Sequence, residues 1–161
     1  MRQWTVGSAL IENDEGLLLV ANRRRDGRLD WTPPGGVIDE GEDVLGGLTR
    51  EVLEETGLQV TEWEGPVYLV DAEAEEAGWH MQVEVYRAVT FEGDLFVDDP
   101  DGIVEDARFV PIGECEAVLR ASWQLITEPI GAWLAERHTD ARTYRYRVGG
   151  AVRADMTVVR L

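Results

Sequence analysis

The chain has 161 residues, 44% of them hydrophobic, which is enough for one domain whose core needs no cross-links. Thirty-two acids against fifteen basic residues give a formal charge of −17, which repels a phosphate backbone and excludes duplex nucleic acid as an expected partner. Cys115 is alone and cannot form an intramolecular disulfide, and neither an N-terminal signal nor an apolar run of about 18 residues is visible, so a soluble cytoplasmic protein without membrane contact is expected.

Residues 4–11 (WTVGSALI) and 17–22 (LLLVAN) are short apolar runs separated by the turn-like NDEG at 13–16, and they predict an initial strand pair. Arg23, Arg24, Arg25 and Arg28 follow. In WTPPGG at 31–36, two prolines and two glycines predict a loop without a regular element. A helix is expected from about Asp43 to Thr56, stopped by Gly57. Further strands are expected at 58–63, 66–71, 80–90 and 107–111, the third with alternating character. Trp123, Ile126, Ile130, Trp133 and Leu134 line one face of a second helix. Pro129 costs about 3 kcal/mol in a helix interior, so that helix either begins near Thr127 or is kinked there. Residues 144–161 read as two strands around Gly149-Gly150, either an edge hairpin or a dimer contact. The whole is an α/β chain: a mixed sheet with flanking helices, and no repeat or linker dividing it.

The helix at 43–56 carries an unusual charge pattern. At about 100° per residue, Glu51, Glu54 and Glu55 fall within an arc of about 100°, beside an apolar stripe of Val44, Leu45, Leu48 and Val52. Like charges three and four residues apart repel by roughly 0.2–0.5 kcal/mol per pair. Carboxylates beside a core also suffer desolvation, which raises their pKa values unless a cation compensates. Hard oxygen ligands at this density suit Mg²⁺ or Mn²⁺; the alternative is a solvated, Glu-rich surface helix. Gly35-Gly36 permits a tight turn and close approach of a carbonyl to an ion or ligand, and Arg50 can hold a carboxylate by a bidentate contact. Gly46-Gly47 inside the helix, each about 1 kcal/mol worse than Ala, predicts close packing against a loop or sheet, or a frayed first turn.

Gly36, five residues, Glu42, seven residues, then Arg50-Glu51-Val52-Leu53-Glu54-Glu55-Thr56-Gly57-Leu58 resembles the signature of the Nudix hydrolases, the MutT-like family, at every defining position. Gly47, where many members carry Ala, is a departure that touches nothing catalytic. The resemblance implies a Nudix-type α/β/α sandwich with a mixed sheet; the chain itself reads as one domain over residues 1–161, in which about 140–161 is a C-terminal β-hairpin extension added to the resemblance and the candidate contact of a homodimer. It implies hydrolysis of a nucleoside diphosphate linked to a group X, by attack of water at phosphorus. Glu51, Glu54 and Glu55 would bind the metal, with the Gly35 carbonyl completing the set. Glu42 would support the metal waters or the loop, and Arg50 would orient Glu51. A divalent cation would neutralise charge on the diphosphate while a carboxylate accepts the proton of the attacking water. Family members take the base either from the signature, here Glu51 or Glu54, or from a distant loop, here 98–110, with Glu105 first and Asp101 or Asp106 behind it. Ile103 stands where many relatives carry a glutamate, which favours a signature base.

On the substrate side, Arg23, Arg25 and Arg28, with Arg24, precede the metal loop and are candidate contacts for distal phosphates; a solvated loop is the alternative. Candidate rings for stacking a base are Trp79, Trp4, Trp31 and Tyr86, with Trp31 expected rather in the core. His80 is expected to have an ordinary structural partner, and His138 to face a helix C-terminus. The expected substrate is a small-molecule nucleotide: a nucleoside triphosphate or its oxidised form first, a nucleotide sugar such as ADP-ribose next. A nucleotide-sensing module that does not cut is the reading from another class, but it would be marked by degraded glutamates or an attached DNA-binding domain. Isomerisation of an isopentenyl-type diphosphate would want an active-site cysteine, and Cys115 lies in an apparently peripheral segment.

Overall fold

The computed structural model describes residues 1–161. In chain order the elements are β1 (Arg2–Leu10), β2 (Glu12–Asn13), β3 (Gly16–Arg23), β4 (Leu29–Thr32), β5 (Gly35–Val37), α1 (Val44–Thr56), β6 (Gln59–Ala74), β7 (Trp79–Glu92), β8 (Val104–Val110), α2 (Cys115–Leu119), α3 (Gln124–Glu136), β9 (Arg142–Gly149) and β10 (Thr157–Arg160). Six strands form one sheet in the order β10-β9-β6-β7-β1-β5. In the other sheet β3 is central, with β2 and β4 along one edge and β8 along the opposite one. The larger sheet is mixed: β1 runs parallel to β7 and β6 parallel to β9, whereas its other neighbours are antiparallel.

The expected initial strand pair does not form. β1 and β3 belong to different sheets, and only Glu12 and Asn13 turn back onto Leu17 and Gly16. The chain passes between the sheets at Ile11, whose side chain is fully buried and whose carbonyl accepts the Leu18 N–H at 2.8 Å. β3 is apolar from Leu17 to Ala21 because both of its faces are covered there: Leu17 and Leu19 enter one core cluster, Leu18 and Val20 the other. Leu19→Ala therefore opens a cavity in a fully packed site and is expected to cost about 2–5 kcal/mol, read as the shift in urea midpoint at unchanged slope.

The two clusters explain the layering. One gathers α2 and α3 (Leu119, Leu125, Ile130, Trp133) against β6 and β9; the other gathers Leu48 and Val52 of α1 against Ala9, Val60, Ala88 and Val104. Helices thus cover the strands from two sides, as in the expected α/β/α sandwich. The apolar stripe of α1 is narrower than its spacing predicts, because Leu45 is exposed. Pro129 lies inside a continuous α3 that begins at Gln124. It is buried with Ile130 and Trp133, so packing offsets the missing N–H.

Three further expectations change. The segments 58–63 and 66–71 are one long strand, β6, whose register against β7 shifts around Gly65-Pro66. The WTPPGG segment is not free of regular structure: Trp31 and Thr32 end β4, and Gly35 and Gly36 pair with Ser8 and Gly7 of β1. The C-terminal hairpin exists, but only β10 is an edge; β9 pairs with β6 and buries Tyr144, Tyr146 and Val148 in the core. No helix is long and apolar enough to cross a membrane.

Candidate active site

α1 is bounded by its own sequence. The Asp43 carboxylate accepts the Gly46 N–H at 2.6 Å, and Gly57 closes the helix in the left-handed conformation, donating to the Leu53 carbonyl at 2.9 Å. Gly46 and Gly47 are explained by contact rather than fraying. A Cβ on Gly47 would lie 2.9 Å from Ile38 Cδ1 and 3.2 Å from Glu42 Oε1. Gly36 performs the same service for the glutamates, since a Cβ there would stand 2.8 Å from the Glu51 carboxyl carbon. The β5 strand and the exposed end of α1 are pressed together at that point.

Glu55 is 5% exposed, and its Oε1 accepts the Gly35 N–H at 3.1 Å. Burial pushes its pKa up to about 9 against that hydrogen bond, and Glu51, Asp99 and Glu54 add repulsion. Glu51 is pushed up to about 7, by burial first; Arg50 opposes the shift, and Glu54 and Asp101 reinforce it. Arg50 holds this end of the helix together. Its Nε and Nη2 form a bidentate pair with Glu42, both at 2.9 Å, while Nη1 stands 3.2 Å from Glu51 and 3.2 Å from Glu54. The guanidinium thus holds Glu42 most tightly and meets Glu51 and Glu54 at longer range, and Glu42 in turn accepts the Asp39 N–H at 3.0 Å. Charge pairing, with the Glu42 bond foremost, raises the Arg50 pKa further.

These residues fit a divalent cation by their chemistry: crowded carboxyl groups, two of them beside the core with their acidity suppressed by burial first and by mutual repulsion after it. With Arg50 drawn in between Glu51 and Glu54, no three acidic, histidine or cysteine side chains converge on one point.

A cleft of about 640 Å³ is floored by Gly7 and Ser8 of β1 and by Gly35 and Gly36, the two glycines that meet Glu55 and Glu51. Arg24, Arg25 and Arg28 form one wall; Met81, Trp123 and Ile126 supply apolar surface, and Arg153 closes the rim. Arg24 is held by Asp30, which is 4% exposed, through two bonds of 2.8 and 2.9 Å. Arg28 meets Asp26 only at 3.7 Å, and Arg25 has no acidic partner.

Several expected site residues stand elsewhere. Arg23 points away from the cleft and forms a bidentate ion pair with Glu105, including Nη2 to Oε2 at 2.9 Å. The Glu105 carboxyl is held below its usual range by that bond, and the nearer charges to Glu51 and Glu55 are those of Asp101 and Asp99. Glu105 is therefore structurally engaged rather than free to face the glutamates. Trp79 is not a cleft wall either; it stacks on Trp123 at 6.2 Å and meets Trp4 at 5.7 Å. Trp31 packs against the core under Arg108, and His80 bonds Asp71 at 3.0 Å. His138 bonds the Asp140 carbonyl at 2.9 Å instead of a helix terminus. Trp123, Met81 and Arg153 had no local motif to mark them; only the apolar face of α3 pointed to Trp123.

The chain matches the model of the NUDIX domain over residues 1–134. A Xenopus laevis protein, nucleoside diphosphate-linked moiety X motif 6, is 43% identical over 53 residues, 33% of this chain and 24% of that protein. The chain spans between 20% and 35% of the length of the curated relatives it matches. The crystal structure of a MutT NUDIX hydrolase from Burkholderia pseudomallei aligns at a TM-score of 0.66 and 25% identity, covering 86% of this chain and 100% of that one. The solution structure of the E. coli ORF135 protein aligns at 0.70 and 22% identity over 87% and 96% of the two chains, a likeness of fold.

Proposed function

The chain belongs to the NUDIX domain family, and from that premise we propose that it hydrolyses a nucleoside diphosphate linked to X, with a nucleoside triphosphate or its oxidised form as substrate. The observation that carries this reading is that Gly35 and Gly36, which meet Glu55 and Glu51, also line a cleft walled by arginines in a chain of charge −17. Positive charge gathered against such a background suits a polyphosphate.

Glu51, Glu54 and Glu55, with the Gly35 carbonyl, would hold Mg²⁺ or Mn²⁺, which when bound supplies charge neutralisation at the diphosphate and acidifies water. Glu54 is the proposed base: it accepts the proton of the attacking water as the new P–O bond forms and the bridging P–O bond breaks, with the electron pair leaving on the departing phosphate. Arg50 keeps Glu54 and Glu51 in place, and Glu42 anchors Arg50. Arg25 and Arg28 receive the phosphates distal to the bond that breaks. The absence of a side chain at Gly36 makes the place that the Glu51 carboxyl occupies, since a Cβ there would stand 2.8 Å from its carbon. We further propose that residues 1–161 act as a single domain in a reducing cytoplasm, and that the β10 edge is where a second copy would pair.

Phosphate and pyrophosphate release, with and without coupled pyrophosphatase, tests this across triphosphates, oxidised nucleotides and nucleotide sugars. Pyrophosphate with the monophosphate is the expected product, abolished by EDTA and restored by Mg²⁺. A folded chain silent across the panel would overturn the hydrolase and leave a nucleotide-sensing module.

A further inference from the structure

Four aromatic or guanidinium groups follow one another in contact up to the cleft, which Trp123 and Arg153 line. Trp4 meets Trp79 at 5.7 Å, Trp79 lies on Trp123 at 6.2 Å with their planes 11° apart, and Arg153 covers the Trp123 ring at 3.9 Å. Trp123 is thereby engaged by both Trp79 and Arg153, so that ring is not a free platform for a base. Its evident effect is to hold a guanidinium flat at the rim, with the N–H edge left for a ligand.

Arg153 comes from the connection between β9 and β10, outside the residues 1–134 matched by the family model. A short 3-10 turn at Arg153–Asp155 presents it. Its electrostatic setting is unusual for an exposed arginine. No carboxylate lies within ion-pair distance, and its pKa is lowered, by burial of the guanidinium first and then by the charge of Arg28, which Asp30 opposes, with smaller opposing effects of Arg24 and Asp26. Arg24 is already neutralised by Asp30, and Arg28 is only loosely paired. The rim therefore carries uncompensated positive charge in a strongly acidic molecule, and an anion is what would relieve it.

We infer that Arg153 is a specificity-determining residue that binds an anionic group carried by X, so that the strap between β9 and β10 selects substrates whose X is a phosphate over those whose X is an uncharged sugar. The inference rests on the hydrolase reading above. The guanidinium fork held on Trp123 gives two parallel N–H donors to phosphate oxygens, with Arg28 facing the same charge.

The experiment measures kcat and KM of the full chain for a nucleoside triphosphate and for a nucleoside diphosphate hexose, in wild type, Arg153→Met and Arg153→Lys. Arg153→Met is expected to raise KM for the triphosphate by about 10- to 100-fold, the range of a charge-assisted hydrogen-bonding contact. It leaves kcat for the triphosphate and both constants for the hexose within about threefold, and Arg153→Lys recovers part of the loss. An equal loss on both substrates, no loss on the triphosphate, or a wild type that cuts only the hexose would overturn the assignment. A wild type that cuts neither removes the hydrolase reading alone. Binding of inorganic triphosphate, followed by tryptophan fluorescence, then decides: a titration lost in Arg153→Met upholds Arg153 as the anion contact, whereas identical titrations, or no binding by wild type, overturn it.

Discussion

Glu54→Gln is expected to lower turnover by about 10²- to 10⁴-fold, the range associated with a positioned proton acceptor. The amide keeps the size of the side chain and loses only its charge. Glu54 is half-buried, and its one ion pair is the 3.2 Å contact with Arg50, four residues earlier on the helix. Such a pair contributes about 0.3–0.5 kcal/mol, and Arg50 retains its bidentate bond to Glu42. The melting temperature should accordingly move by no more than about 2 °C. Steady-state kinetics at saturating Mg²⁺ beside a thermal melt read both effects. Turnover like that of wild type would remove Glu54 from the proton and ligand roles, and a large drop in melting temperature would show that the variant reports on folding.

In EDTA the protein should lose stability steadily as pH rises from about 5 to 9, and Glu55→Gln should flatten that slope. Burial holds the folded Glu55 pKa at about 9, above the 4.5 of a free glutamate side chain. Between those values the folded state keeps a proton that the unfolded chain has released, so the stability that Glu55 contributes is full below 4.5 and lost as pH climbs toward 9. Glu51, pushed up to about 7, acts in the same direction over the lower part of that window. A glutamine at 55 still accepts the Gly35 N–H and has no proton to lose. A divalent cation stabilises the ionised form, so Mg²⁺ should reduce the slope in wild type and leave Glu55→Gln nearly unchanged. Melting curves at fixed ionic strength decide it. A wild-type slope already flat in EDTA would mean that Glu55 ionises freely in the folded chain.

The parts legible in the sequence were those specified by near neighbours. Asp43 and Gly57 bound α1 because capping is chemistry within one turn, and the three glutamates share a face because the helical period places them there. Gly47 could be read as a point of close packing, although Ile38 and Glu42 had to be seen before its neighbours were known. What failed depends on distant partners. β1 and β3 read as a pair from their shared polar turn, yet Ile11 carries the chain into another sheet. Arg23 and Arg25 are almost indistinguishable locally; one is taken by Glu105, and the other lines the cleft. Trp79 was a reasonable aromatic candidate, but Trp123, brought in by α3, lies between it and the rim of the cleft. Arg153 sits far along the chain from Arg28, and no local pattern announces that they share a ligand.

The two parallel pairings, β1 with β7 and β6 with β9, also govern when the cleft comes into being. Each joins strands separated by long stretches of chain, so loop-closure entropy must be met before either ladder gives anything back. Helix α1 can form early from its own caps. Its floor strand β1, the Met81 wall on β7, the Trp123 shelf and the Arg153 strap then arrive in succession, and the strap has a place only after β9 has docked on β6. During synthesis the carboxylate helix and the first three arginines would therefore emerge well before Arg153, and that last residue would reach the cleft only as the sheet closes.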